Sequence, residues 1–298
     1  APLVEDSPAW PDSRPAEPVV EAPDAFEQRV QAEDYSLPIR GILLEGWRLF
    51  TRYPGLLIGA TILVHFIKSL AVQFSMALPL VFDGVATAGL YTVFLRLQRG
   101  EPGGLGGLLA GLKRGIFRNL VLKTVLANLL IMACFIPLML AMERWGITGV
   151  EQVKAVAVGD PGTLLALLLL GALGALPALF LSFCWMYAVP LIVDRQLSFS
   201  QAMRLSRRKV LQHPWRLSIL LTIAGGLAAI PALLLLIGAT LFAPGDQEIL
   251  VRAFSASSFA LLLAMPFYFS TALRAYDRIF PGPRREEAAS ENPPGAIP

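Results

Sequence analysis

The stretch TLLALLLLGALGALPALFLSFCWMYAVPLIV (residues 163–193) contains no charged side chain. Leu and Ala dominate it, and it lacks the alternation of a strand. Lipid offers no hydrogen bonds to a backbone, and about 20 residues at 1.5 Å each cross the hydrocarbon core. The run therefore predicts a membrane-spanning helix. Five further runs have the same character, at about 54–76, 79–98, 118–141, 215–242 and 249–276. The fold class predicted is an all-α polytopic membrane protein with six transmembrane helices. Pro137, Pro177, Pro190, Pro231 and Pro266 fall inside these runs, where each removes a helix hydrogen bond and marks a kink.

Composition agrees. The 298 residues are 55% hydrophobic and 16% charged, with mean hydropathy +0.60. A soluble domain carries about a quarter charged residues, so much of this surface must face something apolar. Cys134 and Cys184 each sit inside an apolar run and read as small buried hydrophobes, not as a disulfide or metal ligands.

Between the spans lie three stretches too polar to cross. They are IRGILLEGWRLFTRY (39–53), LGGLLAGLKRGIF (105–117) and SFSQAMRLSRRKVLQH (198–213). Each places apolar residues at helical spacing, as in Ile39, Leu43, Trp47 and Phe50, with Arg or Lys on the other face. They predict three interfacial amphipathic helices lying among lipid headgroups.

Charge sets the orientation. On the side of these helices the sequence places Arg40, Arg48, Arg52, Arg96, Arg99, Lys113, Arg114, Arg118, Lys123, Arg195, Arg204, Arg207, Arg208, Lys209, Arg216, Arg274, Arg278, Arg284 and Arg285. That is 19 basic residues, against Arg144, Lys154 and Arg252 on the other side. The positive-inside rule then puts both termini in the cytoplasm, in a bacterial inner membrane.

The order amphipathic helix, span, return span occurs three times, in units 39–99, 105–195 and 198–278. Lys113–Arg114 aligns with Arg207–Arg208, Pro137 with Pro231, and Pro54 with Pro214. The return spans end alike, in Gln98-Arg99, Asp194-Arg195 and Asp277-Arg278. This predicts a threefold internal repeat of parallel units. Residues 1–36, acidic and Pro-rich and without the apolar core of a signal peptide, read as a disordered tail. Residues 37–280 form the membrane domain, and 281–298 read as a second disordered tail.

The stretches GLYTVFLRLQRGEPGGLGGLLAGLKR (89–114), MYAVPLIVDRQLSFSQAMRLSRRKVLQHPWRL (186–217) and LRAYDRIF (273–280) resemble a broad group of bacterial integral membrane proteins of unknown function. That group is related to the membrane domain of glycerophosphodiester phosphodiesterases. The resemblance covers about 40–280 and implies a six-helix fold with interfacial helices. It implies no activity, because the phosphodiesterase chemistry of the related proteins sits in a separate soluble domain that this sequence lacks. No residue roles carry over.

Two groups of residues stand out. His65 and Lys68 lie on one face of the first span, roughly 16 and 21 Å in from its basic end. With Asp83 near the opposite rim they could handle a proton or an anion; alternatively His65 bonds between helices and Lys68 snorkels. Asn128 and Gln73 suit interhelical hydrogen bonds. Lys113, Arg114, Arg118, Arg204, Arg207, Arg208 and Lys209 cluster beside the spans and suit anionic lipid headgroups, or follow simply from positive-inside topology. Asp194 and Asp277, each beside an arginine, suit pairing with interfacial helices. The glycines from Gly103 to Gly111 match no phosphate loop, and His65 and His213 lie at different depths, which disfavours a serine-hydrolase triad.

The sequence therefore predicts a non-catalytic membrane protein, a scaffold or accessory subunit whose basic belt holds anionic lipid. It predicts no cofactor, no metal and no nucleic acid, and a protein partner recruited by the acidic tail. The alternative is a small transporter using the His65/Lys68 face. A third reading, an intramembrane enzyme acting on lipid, would need a polar cavity with converging titratable groups, which the sequence hardly supplies.

Overall fold

The computed structural model describes residues 23–75, 78–149, 152–153, 156, 159–242 and 247–282. Among them it is all-helical. Helix α1 is Pro23–Ala32, α2 Ile39–Arg52, α3 Pro54–Phe74 and α4 Leu78–Gln98. A 3-10 helix over Leu105–Leu112 leads to α5, Arg114–Cys134, and α6, Ile136–Arg144. Then come α7, Pro161–Cys184; α8, Ala188–Arg195; α9, Phe199–Val210; α10, Pro214–Phe242; and α11, Gln247–Ile279. Six units are long and apolar enough to cross a membrane: α3, α4, α5, α7 with α8, α10 and α11. By helix length and hydropathy the chain is a multi-pass membrane protein.

Prolines punctuate this order as their chemistry requires. Pro54, Pro161 and Pro214 open α3, α7 and α10, where the missing N–H costs nothing. Two others split predicted spans. Pro137 cannot bond the carbonyl of Ala133, and the helix breaks at Phe135 between α5 and α6. Pro190 cannot bond the carbonyl of Met186, and the chain turns at 185–187 between α7 and α8. Pro177, Pro231 and Pro266 are carried inside unbroken helices.

Helix α4 is the central strut. Half of its span is buried, against 28% or less for the other five. It packs on α3, α5, α8, α11 and the 3-10 helix, while α10 leans on α11, and α7 on α5 and α6. One end of the bundle is dense: Leu90, Phe94, Tyr187, Leu191, Leu205, Tyr276 and Phe280 are all buried in one core. The other end is splayed, with Phe74 81% and Phe242 90% exposed. Most outward faces are Leu and Ile, such as Leu168, Leu176, Leu234 and Leu241, which only lipid or another apolar partner could cover.

The first and third amphipathic stretches are helices. Helix α2 docks on α11 through Ile42, Gly46 and Leu49, and leaves Arg40, Arg48 and Arg52 exposed. The approach at Gly46 is close, because a Cβ there would strike Thr271. Helix α9 starts with a capping box between Ser198 and Gln201. The second stretch departs from expectation. Leu105–Leu112 is a 3-10 helix that runs lengthwise along α4, and Lys113 and Arg114 follow it at the start of α5. It carries no charge of its own, and glycines let it press backbone to backbone. A methyl group at Gly89 would overlap the Leu108 carbonyl, and one at Gly111 the Val85 carbonyl. Close contact with α4 replaces the amphipathic helix predicted there.

The N-terminal tail also differs. Residues 23–37 are ordered, with Phe26, Val30, Tyr35 and Leu37 buried in the core. Phe26 and Val30 share one helix face, and this apolar payload outweighs the acidic composition that predicted disorder through residue 36. The expected disorder of 1–22 and 283–298 lies outside the described residues.

The glycine contact gives a direct check. Gly89→Ala must push back the Leu108 backbone and should cost about 1–3 kcal/mol. Gly106→Ala meets nothing within 4 Å and should change stability by about 0.5 kcal/mol or less. Thermal unfolding of both variants in mild detergent compares them, and equal melting points would contradict this packing.

Candidate functional site

The three polar pairs that end the return spans meet in space. Arg99, just past α4, makes a forked pair with Asp194 of α8, at 2.5 Å from Nη1 and 2.9 Å from Nη2. Nη2 also donates to Asp277 of α11 at 3.1 Å. Gln98 donates to the Asp277 carboxylate and to the Leu273 carbonyl. The Tyr276 hydroxyl donates to Asp194 at 3.0 Å, and Arg195 Nε lies 3.1 Å from the same carboxylate. Arg278 reaches Glu45 of α2 at 3.0 Å. Asp194 and Asp277 thus pair chiefly with Arg99, not with an amphipathic helix as the sequence suggested; the contact to α2 is made by Arg278 instead. The Asp194 side chain is 8% exposed, so its charge depends on these partners.

The basic residues of α9 divide. Arg204, Arg207 and Arg208 are exposed, and Arg208 donates to Gln31 of α1. Lys209, placed by the sequence among the headgroup ligands, is 1% exposed. Its ammonium donates to the Glu33 carbonyl at 2.5 Å and to Gln212 at 3.1 Å. Tyr35 closes the clasp, its hydroxyl donating to the Lys209 carbonyl at 2.7 Å. His213 and Asp34 stand 2.9 Å apart, and Gln201 donates to Asp24. Asp24 thus finds a partner on α9 and Asp34 one just past it, while Glu33 pairs with Arg29 and Glu27 with Gln31 nearby in sequence. Lys113, Arg114 and Arg118 are exposed around the start of α5.

Between α3 and α4, Lys68 pairs with the exposed Asp83 at 2.6 Å, on the wall of an open cleft of about 500 Å3 that His65 also lines. His65 Nδ1 sits 2.9 Å from the Thr61 carbonyl, one turn earlier. Asn128 is half-buried on α5, and Gln73 is exposed. The charge pattern puts Lys123 with the cytoplasmic basic residues, but it lies well along α5, half-buried and in electrostatic contact with Asp83 and Lys68. The reason is that α5 begins four residues before the apolar run, so Lys123 is two turns and more inside the helix. Among the described residues no three His, Cys, Asp or Glu side chains converge as metal ligands would.

No family model, curated protein or solved structure matches the chain.

Two outcomes test this geometry. Arg99→Gln leaves two carboxylates without their shared cation and should destabilise the fold by about 2–3 kcal/mol; Asp277→Asn, at a more exposed site, should cost less than about 1 kcal/mol. Chemical denaturation in mild detergent measures both, and the reverse order would refute the clasp. Burial pushes the Tyr35 phenol up from 10.0 to about 12. A raised pKa means that its contribution to docking is complete below pH 10 and is lost as pH rises through about 12. The phenolate absorbance that separates the wild type from Tyr35→Phe should accordingly have its midpoint near 12. A midpoint near 10 would mean that residues 33–37 are not docked on α9.

Proposed function

We propose that this protein is a non-catalytic membrane scaffold or accessory subunit whose basic end holds anionic lipid in the cytoplasmic leaflet. The observation that carries this reading is the distribution of unpaired charge. Between α3 and α4 Lys68 meets Asp83, and at the bundle end Arg99 meets Asp194 and Asp277. The exposed Arg204 and Arg207 of α9, Lys113 just before α5, and Arg114 and Arg118 of α5 meet no carboxylate among the described residues. Exposed arginines beside a bilayer draw anionic headgroups at about 1 kcal/mol each.

The same reading puts both termini in the cytoplasm of a bacterial cell. The bias toward that side survives the transfer of Lys123 to the interior. Phe26 and Phe280 meet in one core at the basic end, which supports placing both ends of the membrane domain on one side. We also read the chain as three parallel units. Each unit's return span delivers its polar pair to one junction, although the middle unit replaces its interfacial helix with the 3-10 segment. The kinship suggested by 89–114, 186–217 and 273–280 would give a fold without an activity, in keeping with this role. A protein partner would be recruited by the acids before residue 23, since Asp24, Glu27, Glu33 and Asp34 each have a partner within the chain.

We favour this reading over the transporter alternative because Lys68 is paired with Asp83 and His65 faces a carbonyl of its own helix.

Purification in mild detergent followed by native mass spectrometry tests the proposal. The wild type should retain phosphatidylglycerol in preference to phosphatidylcholine, and Arg204→Gln/Arg207→Gln/Arg208→Gln should retain several-fold less in total. A Cys introduced at 204 in a cysteine-free background should react with an impermeant maleimide only after the membrane is opened. Equal retention by wild type and triple variant, or labelling of position 204 in intact cells, would sink it.

A further inference from the structure

A second basic feature lies away from α9. Between α2, the end of α4 and the last turns of α11 is a pocket of about 470 Å3, within the range of small-ligand sites, roughly 300–1,000 Å3. Arg48, Arg52, Arg99 and Arg274 line it, with Gln98 and Glu45. We propose that this pocket binds a phosphate group, carried by an anionic phospholipid headgroup or by free phosphate. The inference rests on reading this end as the side that meets anionic lipid, but it uses none of the α9 residues.

The pocket follows from how α2 docks. Arg48 and Arg52 stand one turn apart and project to the same side. Gly46 seats α2 against Thr271, and Arg274 follows three residues later on the same face of α11. The fourth wall is rigid, because Arg99 is held by Asp194 and Asp277.

Charge is left over. Glu45, the one carboxylate on the wall, is taken by Arg278. Arg48, Arg52 and Arg274 pair with no carboxylate among the described residues. Arg274 makes no hydrogen bond there, and its Nε is shut off from solvent without a partner. Gln98 Oε1 is buried and unpartnered as well, an acceptor suited to a phosphate or headgroup hydroxyl. A guanidinium held this way is costly unless an anion joins it. Phosphate fits best, since its tetrahedral oxygens accept forked bonds from several guanidinium groups at once. The flank of α2 away from the pocket exposes Leu44 and Trp47, so the helix sits where a headgroup and apolar chains would both be near.

The test uses the full chain in nanodiscs of phosphatidylcholine, with or without phosphatidylglycerol, and separately in detergent with inorganic phosphate. Thermal stabilisation and lipid retained through delipidation are read for the wild type, Arg274→Gln and Arg48→Gln/Arg52→Gln. The double variant alters only exposed side chains and guards against misfolding of Arg274→Gln. Phosphatidylglycerol should stabilise the wild type, and both pocket variants should weaken its binding by about tenfold. Arg204→Gln/Arg207→Gln/Arg208→Gln should keep this tightly held fraction. If inorganic phosphate alone reproduces the stabilisation and both pocket variants abolish it, the site takes the free ion, and the phosphate assignment stands. If neither ligand distinguishes the wild type from the pocket variants, the proposal is overturned. A loss confined to the α9 variant would leave the lipid-belt reading standing and remove this one, and a loss confined to the pocket variants would do the reverse.

Discussion

The forked pairing of Arg99 with Asp194, shared with Asp277, ties together three segments at one point, with Gln98 and Tyr276 bridging the same segments beside it. Arg99 follows the central strut α4, Asp194 lies in the short helix after the turn at 185–187, and Asp277 lies in the last turns of α11. Near an apolar environment an unpaired carboxylate is expensive, so each partner restrains the other two. Around this clasp the core is densest, with Tyr187, Tyr276 and Phe280 in mutual ring contact. Away from it the helices diverge, and their outward Leu and Ile side chains depend on the surroundings.

The order of the N-terminal segment depends on the same end. Arg195, next to Asp194, reaches the Phe280 carbonyl and covers the ring of Phe26, and Arg29 reaches the Pro281 carbonyl. Those contacts bring α1 against the close of α11. The Lys209 clasp then fixes residues 33–35 over α9. A buried ammonium is tolerable because a carbonyl and an amide oxygen replace its lost water. The consequence is a basic helix with two different faces, one consumed by the chain itself and one open.

The α3–α4 cleft and the basic end handle charge differently. At the cleft Lys68 of α3 pairs with the exposed Asp83 of α4, with Lys123 of α5 nearby. At the basic end the acids are fewer than the arginines, and the surplus falls on exposed faces and on the pocket beside α2.

Much of this was legible in the residues. Hydropathy alone determined six spans, because the backbone in lipid must satisfy itself locally and leaves a run of fixed length. Spacing alone marked α2 and α9 as amphipathic, and the repeated pairs at 98–99, 194–195 and 277–278 marked the ends of the return spans. The middle unit was not legible: the glycines of 103–111 allow a flexible lead-in or a close-packed 3-10 helix equally, and only the facing surface of α4 chooses. Nor could composition show that Phe26, Val30 and Tyr35 outweigh the acids around them, or that Lys209 is buried while Arg207 and Arg208 are exposed. Whether a charge is paired, buried or free depends on groups brought near from 80 to 180 positions away, as Arg99 with Asp194 and Lys209 with Glu33 are. Local sequence sets where helices form and how they face lipid; only the tertiary structure decides which charges find each other, because electrostatic energy depends on distance in space and not along the chain.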